Sequence, residues 1–148
     1  NDNGALNTLK GLEGLSTVRE TLEIDRNTRL TSLQGLDGLI SIGGNLHICY
    51  NDRLHTLKGL DGLISVGGNV EITDMPSLNT LQGLGGLISV GHLTIFANPN
   101  LNTLKGLESL TVAEGNVLFI KTGLTSLQGL EQLRVVEGFV AVEGNRHL

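Results

Sequence analysis

Residues 30–48 read LTSLQGLDGLISIGGNLHI, and the spacing of their apolar side chains decides the fold. Leu30, Leu33, Leu36, Leu39 and Ile42 fall at steps of three. Gly43-Gly44-Asn45 intervenes, then Leu46 and Ile48 stand two apart, and Leu54 restarts the cycle six residues later. A step of two is the strand period, which sends alternate side chains to one face. A sustained step of three fits neither a flat strand nor a helix, whose apolar face needs i, i+3, i+4 and i+7. It suits a chain that bends every few residues and keeps returning Leu to the inside. Gly35, Gly38, Gly43 and Gly44 mark the bends, since glycine tolerates positive φ.

The unit recurs along the chain. Leu-x-[Thr/Ser]-Leu-[Lys/Gln]-Gly-Leu starts at Leu6, Leu30, Leu54, Leu78, Leu101 and Leu124, at spacings of 24, 24, 24, 23 and 23, and Leu148 lies 24 further on. The expected architecture is all-β: a right-handed parallel β-solenoid of about six 23–24-residue coils. One short strand per coil, Leu46-His47-Ile48 and its equivalents, stacks on its neighbours at ~4.8 Å. The expected organisation is a single solenoid domain over residues 1–148, beginning and ending inside a repeat as a segment of a longer protein does.

Inward strand columns run Leu22, Leu46, Val70, Leu93, Val140 and Ile24, Ile48, Ile72, Ile95, Val142. Coil four is one residue short between Val90 and Leu93. In coil five two registers are open. Either Val117 and Phe119 point in, with a deletion after the strand, or Leu118 and Ile120 do, with a bulge before it.

Composition narrows the function classes. The chain of 148 residues holds 29 Leu and 21 Gly, is 39% hydrophobic and only 3% aromatic. It is too apolar for disorder, and no apolar run approaches the ~18 residues of a membrane span. A net charge of -5, from 10 basic and 15 acidic residues, argues against nucleic acid and against insertion at an anionic membrane. One cysteine, Cys49, rules out an internal disulfide and reads as a small hydrophobe. No nucleophile elbow, phosphate loop, HExxH or Cys/His metal spacing occurs. No enzyme activity, cofactor or metal is therefore expected.

The Leu-Gly-Leu steps, the [Ile/Val]-Gly-Gly-Asn turns at 42–45 and 66–69, and the Leu-x-Ile strand resemble the receptor L-domain family of leucine-rich repeats. The likeness covers the whole chain and is greatest to the long arrays in surface proteins of bacteria and simple eukaryotes. It implies a right-handed β-solenoid, a secreted or cell-surface location and a binding or adhesion role.

Regular outward columns read as scaffold. Asn3, Asn27, Asn51, Asn98 and Asn145 are expected at outward bends, in left-handed conformation. Thr8, Ser32, Thr56, Thr80, Thr103 and Ser126 form a hydroxyl column expected to satisfy bend backbone groups. Ice binding through it is the less favoured alternative. Lys and Gln alternate strictly from Lys10 to Gln128, followed by an acidic column broken only by Gly85.

The outward strand column is irregular, and the candidate binding site is placed on it: His47, Glu71, Phe96, Leu118 or Phe119, and Phe139. Its first half is polar and acidic, with His47 stacked between Glu23 and Glu71, and its second half is apolar. An exposed apolar patch marks an interaction surface. The expected partners are a protein or glycan on a cell surface, or flanking domains of the same chain. The alternative role is a rigid spacer or stalk.

Overall fold

The computed structural model describes residues 3–148 and explains the step of three as a run of tight turns. In coil two the Leu30 N–H donates to the Asn27 carbonyl (3.0 Å), Leu36 to Leu33 (3.1 Å) and Leu39 to Leu36 (2.9 Å). Each such bond closes a β-turn across three residues, so every turn delivers its last Leu to the same side. The Leu33–Leu36 turn carries Gly35 at φ 111°, and the equivalent glycine has φ between 108° and 116° in all six coils. A type II turn demands that positive φ at its third position. Contact between coils demands glycine as well, for a Cβ on Gly59 would overlap the Leu33 carbonyl of the coil before.

Each coil contributes two strands. In chain order they are β1 (Thr17–Val18) and β2 (Leu22–Asp25), β3 (Ser41–Ile42) and β4 (Leu46–Cys49), β5 (Ser65–Val66) and β6 (Val70–Thr73), β7 (Ser89–Val90) and β8 (Leu93–Phe96), β9 (Val112–Ala113) and β10 (Val117–Ile120), β11 (Val135–Val136) and β12 (Val140–Glu143). The odd strands stack in order as one six-stranded parallel sheet and the even strands as a second. The second sheet was expected. The first, of two-residue strands, was not, because two residues are too few to show an alternation. The described residues contain no helix, and none long and apolar enough to cross a membrane.

The predicted inward residues form one continuous core. Leu30, Leu33, Leu36, Leu39, Ile42, Leu46 and Ile48 are buried, as are their equivalents through coils three and four. Burial of apolar area at ~25 cal/mol per Å² is the main force holding the stack together. Register in coil five is resolved: Val117 pairs with Leu93 and Val140, and Phe119 with Ile95 and Val142. The missing residue therefore falls after the strand, before Leu124. Phe119 is the correction to the expected site, because its side chain is buried in the core and only Leu118 faces out.

The asparagine column is also corrected. Asn27, Asn51 and Asn98 are buried, and the left-handed conformation belongs to the residue before each, Arg26, Tyr50 and Ala97, as it does to Asp74 before Met75 and Lys121 before Thr122, all at φ 53–54°. The amides stitch coils together. Asn51 Oδ1 accepts from the Asn27 N–H (3.0 Å), while its Nδ2 donates to the carbonyls of Ile24 (2.8 Å) and Cys49 (2.9 Å). Asn98 does the same for Met75 N–H (3.1 Å), Ile72 (2.9 Å) and Phe96 (3.1 Å). These bends leave buried backbone groups without strand partners, and the amide satisfies them. Met75 and Thr122 take the amide position in coils three and five.

Candidate functional site

The outward face of the even-strand sheet holds His47, Glu71 and Leu118 in the predicted order, without Phe119. Glu23, His47 and Glu71 are register neighbours, as are Glu71, Thr94, Leu118 and Ala141. Alternation along each strand forces this, since Leu46 and Ile48 go inward and leave His47 outward. His47 Nε2 lies 3.5 Å from Glu71 Oε2, with both side chains partly exposed. Leu118 is half-buried at the centre of the apolar end.

Phe96 and Phe139 stand apart. Phe96 ends β8, half-buried, with the Lys121 ammonium 5.5 Å from its ring centroid. Phe139 precedes β12 and is 58% exposed. The two rings occupy opposite ends of strands two coils apart, with Leu118 between them, so they edge one broad face rather than form a cluster.

The column before the strands is structural. Asn45 Oδ1 accepts from the Asn69 N–H (2.8 Å), Asn69 Oδ1 from His92 (3.2 Å), His92 Nδ1 from Asn116 (3.0 Å) and Asn116 Oδ1 from Phe139 (3.1 Å). Each side chain thus accepts the backbone N–H of the next coil. Phe139, the last residue of this column, brings a side chain with no acceptor.

Sequence reasoning missed Tyr50. It is 44% exposed, in the left-handed corner column, with the Arg26 guanidinium 5.0 Å from its ring centroid. The nearby Asp74 carboxylate, with lesser help from burial and a hydrogen bond to that carboxylate, holds its hydroxyl above the usual tyrosine range. Tyr50, Asp52, Asp74, Pro76, Ala97, Pro99 and Lys121 line a saddle of about 500 Å³. The available signal was the irregularity of the position before each Asn. A second missed feature is a stripe of exposed Ile40, Ile64 and Ile88 beside the odd-strand sheet. Their regularity concealed them.

The remaining chemistry is quiet. Cys49 is half-buried, and burial pushes its thiol above the ordinary value, against a smaller opposing effect from a Thr73 hydrogen bond. A thiol raised in this way is a poor nucleophile. No group of three or more His, Cys, Asp or Glu side chains converges among the described residues. Hydroxyls of the Thr column turn to their own turns: the Lys58 N–H donates to Thr56 Oγ1 (3.3 Å) and the Gln82 N–H to Thr80 Oγ1 (3.3 Å). Comparison with family models, curated proteins and solved structures finds no match. Function must therefore be argued from the geometry of the face itself.

Proposed function

We propose that the chain is a non-catalytic recognition or adhesion module of the receptor L-domain type, secreted or held at a cell surface. It presents the even-strand face to a protein or glycan. One observation carries this reading. All six coils repeat the glycine turn, five the carboxylate and four the amide, while the outward strand positions change from charged to apolar, through Leu118 to Phe139. A regular scaffold has no need of apolar residues on an outward sheet face, whereas aromatic anchors dominate protein recognition.

A rigid spacer is the second reading, favoured by two parallel sheets that run unbroken through six coils. Ice binding is disfavoured, because Thr56 and Thr80 already bond the backbone. Glycan and surface-protein arrays probed with the 148-residue chain separate the first two. Recognition predicts binding that Phe139→Ser with Leu118→Ser reduces at least ~30-fold, at about 2 kcal/mol or more for lost anchors. Gln34→Ala with Gln128→Ala, on another face, leaves it unchanged. A chain that binds nothing on either array, or binds equally well with both anchors removed, is a spacer.

A further inference from the structure

In five coils a carboxylate closes the glycine turn. The N–H groups of Gly11, Gly35, Gly59, Gly106 and Gly129 donate to Glu13 (2.9 Å), Asp37 (2.8 Å), Asp61 (3.0 Å), Glu108 (2.8 Å) and Glu131 (3.0 Å). Coil four has Gly85 at the acidic position. The corresponding donor, the N–H of buried Gly83, has no acceptor among the described residues.

Nothing else in that turn differs. Gly83 keeps φ at 116°, within a few degrees of Gly59 at 111° and Gly106 at 112° in the coils on either side. The Leu84 N–H still donates to the Leu81 carbonyl (3.1 Å). The donor therefore points where the other coils hold a carboxylate oxygen. A cleft of about 370 Å³ opens there, lined by Gly83 and Gly85, with Lys58 and Lys105 from the coils on either side. Asp61 and Glu108 also border it, but each is already engaged by its own glycine N–H. Packing does not impose the gap, because no atom lies within 4 Å of where a Gly85 side chain would begin.

We propose that this cleft binds a carboxylate, and that an acidic side chain of a partner polypeptide supplies the group coil four lacks. The Gly83 N–H donates to the incoming oxygen, a charge-assisted bond stronger than a neutral one. The Lys58 and Lys105 ammonium groups offset the repulsion from Asp61 and Glu108. The site lies on the Lys/Gln face, so it stands or falls independently of the even-strand face.

The test is an amide NMR titration of the 148-residue chain with N-acetyl-Gly-Asp-Gly-amide, its Asn analogue and acetate. The Asp peptide moves the Gly83 amide proton downfield to saturation, while Gly59 and Gly106, already bonded, move several-fold less. The Asn peptide produces no saturable shift. Lys58→Ala with Lys105→Ala weakens the Asp peptide by roughly three- to tenfold, the scale of exposed charge pairs. Gly85→Asp shifts the Gly83 amide downfield without ligand and abolishes the response. A Gly83 amide unmoved by the Asp peptide, or moved equally by the Asn peptide, overturns the carboxylate site. Acetate binding as tightly as the Asp peptide overturns the assignment to a polypeptide.

Discussion

Coil three and the terminal coils carry the same heptad, yet their Leu side chains meet different fates. Leu54, Leu57 and Leu60 are buried, whereas Leu6 is 37% and Leu127 38% exposed. No local rule separates them, because the motif is the same. The difference is the neighbour on each side. A coil cannot bury its own Leu ring of residues, and stability is therefore a property of contacts between coils.

Leu57→Ala and Leu6→Ala put that difference to its hardest test. Leu57→Ala should cost ~2–5 kcal/mol, from lost transfer energy and a cavity that stacked turns cannot close. Leu6→Ala should cost under about 1.5 kcal/mol, since part of the side chain already meets water. Urea unfolding of both variants decides it. Equal shifts in midpoint at equal slope would mean that coil one is packed as tightly as coil three.

The buried amides come next in size. Asn98→Ala strands the Met75 N–H and takes one bond from each of the Ile72 and Phe96 carbonyls, the latter keeping the Asp74 N–H, at ~2–4 kcal/mol for the loss of a small buried set. Asn145 bonds the Thr122 N–H, the Thr122 hydroxyl and the Phe119 carbonyl but is only half-buried. Water replaces its bonds more readily, so Asn145→Ala should cost less than half as much. Similar losses would show that the last coil excludes water as the centre does.

These contrasts also mark how far the sequence could be read. The run from Leu30 to Ile42 and the pair Leu46 and Ile48 announced the coil, because apolar spacing records which side chains must leave water. The Asn column was assigned to outward bends because asparagine tolerates the left-handed conformation. Asn51 goes inward because the bend leaves the buried Asn27 N–H to its Oδ1 and puts the Ile24 and Cys49 carbonyls within reach of its Nδ2. Phe119 and Leu118 could not be told apart, since both are apolar and only stacking on Ile95 and Thr94 sets the register. Of the candidate site, His47, Glu71, Phe96 and Phe139 were legible as alternate outward positions. Tyr50 was not, because its exposure follows from a left-handed φ that no Tyr advertises.

The carboxylate turns offer a smaller effect, governed by pH. The Gly11 N–H bond is the chief cause holding Glu13 below its ordinary 4.5, with Lys10 adding a lesser pull. A carboxyl lowered on folding contributes stability that is present above its unfolded value and is lost as pH falls through the folded value. The window here begins near 4.5 and extends below it. Carboxyl NMR should place the Glu13 midpoint under 4.5. A midpoint at or above the ordinary value would mean that the turn of coil one is open in solution.

Backbone strain gives the smallest effect and the sharpest comparison, because it does not depend on neighbours. Ala97 sits at φ 53°, and the equivalent of coil six is Gly144 at φ 64°. An L residue there costs ~1–2 kcal/mol, and glycine returns ~0.4–1 kcal/mol of that through its freer unfolded chain. Ala97→Gly should therefore stabilise by roughly 0.5–1 kcal/mol, the difference of those two terms. Gly144→Ala should lose the same amount, if the last coil is formed whenever the core is. Thermal melts of both variants measure the pair. A gain at Ala97 with no loss at Gly144 would show coil six unfolding before the rest. Equal and opposite shifts would show that the exposed Leu side chains of the last coil belong to a coil as well formed as the centre.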